Sequence, residues 1–150
     1  MKNAIRVLLA VSLALALGSR AYAQATSFND YCSGIAPKAS AGVDISSATD
    51  TQMVALVTGA AIYVCDCNVN QAGGASGTVY FESATAASCT GTLAQLSGKF
   101  TANTSAGTTT NAHLAGSNSG TMLLVPTGDA LCVKSTGSIV QSITCSYVQR

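Results

Sequence analysis

The sequence predicts an all-β protein, an antiparallel β-sandwich or jelly roll of about eight strands stapled by disulfides. Three observations carry that reading. Short apolar or alternating runs recur between Gly-containing turns, with almost no helical periodicity. Six cysteines follow an export-type leader, the usage of an oxidising compartment. Charged residues make up 9% of the chain while Thr, Ser, Gly and Ala abound, so hydroxyls rather than ion pairs cover the surface.

Lys2 and Arg6 form a basic start, residues 7–17 an apolar run, and Ala21-Tyr22-Ala23 a small-x-small cleavage pattern. Residues 1–23 therefore read as a signal peptide. The apolar run is too short to cross a bilayer, which needs about 20 residues, so no membrane span is expected after cleavage. The 127 residues from Gln24 onward carry Lys38, Lys99, Lys134 and Arg150 against Asp30, Asp44, Asp50, Asp66, Glu82 and Asp129, a formal charge of −2. With no basic cluster, nucleic acid is excluded as an expected partner.

Residues 24–42 read as an N-terminal arm punctuated by Gly34 and Pro37, with Cys32 tying it down. Residues 43–150 form the β-sandwich domain. It starts with the alternating Val43-Asp44-Ile45. Residues 53–57 and 60–67, hinged at Thr58-Gly59, read as the central hairpin. Period two places Cys65, Cys67 and Val69 on its inner face and Asp66, Asn68 and Asn70 on the outer one. A Gly-rich turn at 71–77 leads to a β-branched and aromatic strand at 78–82. Residues 83–98 read as a loop carrying Cys89, with a short helical turn capped by Thr92 and Gln95 and stopped at Gly98.

Residues 99–102 read as a weak strand and 103–120, rich in Thr, Ser, Gly and Asn, as a long outer loop. Residues 121–125 and 130–134 then pair around a turn at 126–129, and 139–148 form the closing strand. The two hairpins echo each other: apolar run, Thr-Gly hinge, apolar run ending in Cys. The apolar closing strand is read as an edge that another chain can complete.

The same alternation sorts the cysteines. Cys145 shares an inner face with Ile139, Ile143 and Tyr147, whereas Leu131 and Val133 turn inward and put Cys132 outside. A core bridge therefore runs from Cys65 or Cys67 to Cys145, and Cys132 takes a loop cysteine, Cys32 or Cys89. Six cysteines allow 15 pairings, and bridging needs Cα atoms within about 7 Å. Cys65-Asp66-Cys67 lacks the second cysteine pair or histidine of a zinc set and is not the C-x-x-C of a redox centre.

No catalytic pattern is complete in the sequence. His113, the sole histidine, has no carboxylate near it in sequence and reads as a solvated loop residue. Glu82 is the sole glutamate, Asp129 belongs to a turn, and Asp44, Asp50 and Asp66 lack calcium-loop spacing. Gly116 and Gly120 frame Asn118 where a nucleophile elbow needs Ser. The expectation is a non-enzymatic protein with no metal site and no cofactor. Asn103-Thr104-Ser105 fits a glycosylation sequon.

The succession SSATDTQMVALVTGAAIYVC, GTVYFE, SCTGTLAQLSG and PTGDALCVKSTGSIVQSITCSYVQ resembles small β-sandwich proteins of phage, prophage and environmental genomes, over residues 43–149. The resemblance implies a virion-associated or secreted structural module, oligomeric, with no catalytic residues to carry over. Cys67 and Cys145 look like additions to that family's usual cysteine set, so the resemblance favours pairing them with each other. The expected function is that of a secreted protein, extracellular or periplasmic, that self-associates or contacts another surface protein or a glycan. A phage decoration or fibre component is the alternative. A monomeric carbohydrate-binding module is disfavoured by five Tyr and no Trp.

Overall fold

The computed structural model describes residues 31–33, 38–72, 77–101, 109–116, 120–138 and 140–150. The segment read as a signal peptide, most of the stretch read as an arm and the sequon at Asn103 lie outside them. Among the described residues the chain runs through β1 (Ala39–Ile45), β2 (Asp50–Val54), β3 (Ile62–Ala72) and β4 (Thr78–Ala86). A 3-10 turn at Ala87–Cys89 precedes β5 (Thr90–Gln95) and β6 (Phe100–Thr101). Then come β7 (Thr109–Ala115), β8 (Leu123–Val125), β9 (Ala130–Ser135) and β10 (Gln141–Gln149).

Two antiparallel sheets result. The first is ordered β1-β10-β3-β7 with β8 also on β3; the second is ordered β2-β9-β4-β5 with β6 also on β4. The ten strands fill eight positions. β7 and β8 lie end to end along one side of β3, where Asp66 pairs with Ala115 and Val64 with Leu123. β5 and β6 do the same along β4, where Glu82 pairs with Gln95 and Val79 with Phe100. The architecture is the expected sandwich, wound as a jelly roll, with both edge positions on one side broken in two.

Both expected hairpins are corrected. Residues 53–57 and 60–67 do not pair with each other: β2 lies in the second sheet and β3 in the first. Likewise β8 and β9 lie in opposite sheets. Apolar periodicity reports that a strand faces a core, not which strand it bonds to, and a sandwich core is reached from either sheet. The echo has a structural cause. The two corners run antiparallel to each other through both sheets, with Val54 on Leu131 and Ile62 on Val125.

Four further expectations change. β4 continues to Ala86, and Thr92 and Gln95 lie in β5 rather than in a helical turn; the Thr92 amide donates to Thr85 Oγ1 at 3.0 Å. Within the expected outer loop, Thr109–Ala115 is a strand whose Ala112 and Leu114 pack against the core while Asn111 and His113 stay exposed. Its polar composition masks a period of two. The closing strand β10 is no edge, since it lies between β1 and β3. β1 begins at Ala39, inside the stretch read as arm.

The core between the sheets contains Ile62, Val64, Val69, Phe81, Leu131 and Ile143, each 0 or 1% exposed. Full burial of such side chains contributes roughly 1.5–3 kcal/mol apiece.

Candidate functional site

The three disulfides divide the molecule by layer. Cys67 and Cys145 are directly paired residues of β3 and β10, fully buried in the core, and are bridged. Cys32 bridges Cys65 and ties the arm to the outside of the first sheet, where both cluster with Val148, Tyr31 and Tyr63. The expectation that Cys65 points inward is corrected. The register of β3 and β10 slips between Ser146 and Tyr147, Cys65 has no partner there, and this bulge turns it outward with Tyr63. Tyr31 meets the Tyr63 ring edge-on at 4.6 Å, and the Arg150 guanidinium lies 5.2 Å from the Tyr31 ring. Cys132 is on the outer face of the second sheet and is bridged to Cys89, which pins the 3-10 turn against β2, β4 and β9.

The breaks in the two edge strands face each other. Between them opens a cleft of about 450 Å³ whose apolar lining includes Phe81, Leu96, Phe100, Leu114, Met122 and Leu123. At the first break Ser97 Oγ accepts the Phe81 amide at 2.9 Å, so a side chain replaces a strand carbonyl. At the second, the Met122 amide bonds Val64 O at 2.7 Å and the Gly116 amide bonds Cys65 O at 3.4 Å, which holds both stumps to β3. On the edge strands, Leu93 of β5 is 40% exposed and Leu124 of β8 is 54% exposed; their register partners Ala84 and Tyr63 place them on the outer faces of the two sheets. Neither β5 nor β7 contains Lys, Arg, Asp or Glu. Sequence reasoning missed this site because each break lies inside a stretch it read as loop.

The outer face of the first sheet is polar and in register. One row across it holds Asp44, Ser142, Asn70 and Asn111, and the next Gly42, Thr144, Asn68 and His113, all exposed. His113 thus lies on a strand. It shares a cavity of about 220 Å³ with Asp66 and Lys38, although no carboxylate is near it in sequence. Asp66 Oδ2 accepts the Ser146 hydroxyl at 2.5 Å.

The strand register of the second sheet gathers Asp50, Lys134 and Glu82, which are scattered in the sequence. Asp50 and Lys134 are directly paired between β2 and β9, and Lys134 Nζ donates to Asp50 Oδ2 at 2.7 Å. Glu82, opposite Cys132 on β4, is 4% exposed. Burial, then the Asp50 carboxyl beside it, push its pKa from 4.5 to about 7, against the opposing pull of Lys134. The hydrogen bond to Asp50 raises Lys134 in turn. Among the described residues no three His, Cys, Asp or Glu side chains are grouped as a metal site.

The chain matches no family model and no curated protein. Its three disulfides belong to an oxidising, extracellular or periplasmic setting. No helix among the described residues is long and apolar enough to cross a membrane.

Proposed function

We propose that this is a secreted, non-enzymatic structural protein whose copies associate through the open side of the sandwich. The observation that carries the reading is the pair of uncharged edge strands, β5 and β7, flanking an apolar cleft, with Leu93 and Leu124 exposed on the outer faces of the edge strands β5 and β8. Free edges offer unpaired backbone groups to another strand, and soluble proteins usually guard them with charge or proline. A second copy supplies a matching edge about a two-fold axis and apolar side chains for the cleft. The in-register polar face of the first sheet supports a second contact, with a glycan or a hydroxyl-rich surface.

Light scattering of the oxidised protein across a concentration series tests the first reading. Association is expected, and Leu93→Lys with Leu124→Lys should return the protein to a monomer with its melting temperature kept. A discrete mass means a closed oligomer and an open-ended distribution a fibre. A monomer at every concentration overturns the proposal.

A further inference from the structure

We propose that Lys134 and Asp50 condense into an intramolecular amide that joins β9 to β2 covalently, with Glu82 as the acid that promotes it. The placement of the reacting atoms comes first. Nζ is 2.7 Å from Asp50 Oδ2. A carbon–oxygen bond is about 1.2 Å long, so Nζ lies within about 4 Å of Cγ. That approaches the ~3–3.5 Å of a near-attack arrangement.

The third group is the one the reaction needs. Glu82 Oε1 and Asp50 Oδ1 are both buried, and neither accepts a hydrogen bond from an N–H or O–H donor. Two carboxyl groups held together out of water do not both ionise, so one keeps a proton. Glu82, the more buried of the two, keeps it. A neutral carboxyl against Asp50 is a proton donor for the oxygen that gains charge when the carboxyl carbon is attacked. The disulfide-pinned turn Ala87–Cys89 packs on β2, β4 and β9, the three strands that carry the trio, and the Lys134 and Asp50 side chains are 31% and 24% exposed. A partly buried ion pair keeps a desolvation cost; an amide carries no charge, so burial favours the product.

The step balances without an oxidant or reductant. Lys134 passes one ammonium proton to Oδ2 along the existing hydrogen bond. The amine attacks Cγ, Glu82 protonates Oδ1 as the Nζ–Cγ bond forms, and Glu82 recovers a proton from the nitrogen. The Cγ–Oδ2 bond then breaks. Oδ2 leaves as water, carrying the proton that Oδ1 releases as its carbonyl is restored. One water is lost and both charges vanish. The link spans a sequence separation of 84, against 43 for the neighbouring Cys89–Cys132 bridge. It would be a staple that reducing agents cannot open.

Mass spectrometry of the full chain, secreted, then reduced, alkylated and denatured, tests this. The expected result is a tryptic species in which residues 39–99 and 100–150 remain joined, lighter by one water than their sum and uncut after Lys134. Lys134→Arg should lose the link while keeping the fold by circular dichroism, and Glu82→Gln should slow its formation about 10²-fold, the lower range for general acid catalysis. Separate peptides with ordinary cleavage after Lys134 reduce the trio to an ion pair and overturn the proposal. A water deficit that survives in Lys134→Arg overturns it too. Full linkage at an unchanged rate in Glu82→Gln overturns the role given to the acid.

Discussion

The amide of Gly128 donates to the carbonyl of Ala60 across 2.8 Å, so the two Thr-Gly corners that carry the chain between the sheets are bonded to each other. Each corner closes in the same way, Ala60 N on Val57 O at 3.0 Å and Asp129 N on Pro126 O at 3.1 Å. Gly59 and Gly128 occupy equivalent left-handed positions, with φ of 80° and 84°.

Those glycines are therefore testable. A Cβ at either position meets nothing within 4 Å, which confines the cost of Gly→Ala to the backbone. Each substitution should destabilise by about 1–2 kcal/mol, the usual cost of left-handed φ for a residue with a Cβ. Gly→Asn should cost less. The double variant should depart from additivity because the corners touch. Urea midpoints report this, and an unchanged midpoint in both Ala variants would contradict the corner geometry.

The bridges should differ in kind. Cys67–Cys145 closes a separation of 78 residues in the middle of the core, and replacing both by Ala should cost roughly 4 kcal/mol on the chain-entropy account. Cys32–Cys65 holds the arm against the outside of a sheet that is otherwise complete. Its loss should free the arm and leave the sandwich's cooperative transition nearly in place. Urea unfolding combined with hydrogen exchange separates the two. Equal loss of global stability would refute the layered assignment.

Glu82 makes stability depend on pH in a predictable direction. It is best measured in Lys134→Arg, where the ion pair remains and no amide forms. Asp50, Lys134 and Tyr80 are the titratable groups around it, and the turn Ala87–Cys89 adds none. A carboxyl raised from 4.5 to about 7 binds its proton more tightly in the folded state. Its stabilisation is fully present below pH 4.5 and declines as pH rises to about 7, above which the penalty is complete. Adding Glu82→Gln should flatten the melting temperature across that window. A slope unchanged by this second substitution would place the titration elsewhere.

Much of this protein is decided locally. Alternation along β1, β9 and β10 identifies Ile45, Leu131, Val133, Ile143 and Cys145 as inward-facing and Cys132 as outward-facing, because period two is a property of the strand itself. Gly-containing turns and the near absence of helical periodicity likewise suffice for a sandwich of about eight strands, two of which the structure breaks in two to give ten. Partner choice is different. Thr58-Gly59 and Thr127-Gly128 look like hairpin turns, yet they are corners, since a turn's residues do not record which sheet receives the next strand. The bulge at Cys65 depends on the register of β10, eighty residues away. The cleft needs breaks in β5/β6 and β7/β8 to face each other. The meeting of Asp50, Glu82 and Lys134 needs three strands in one order. Sequence determines which face of a strand is buried; only the tertiary structure decides which strands are neighbours, because pairing satisfies backbone groups that every residue carries alike.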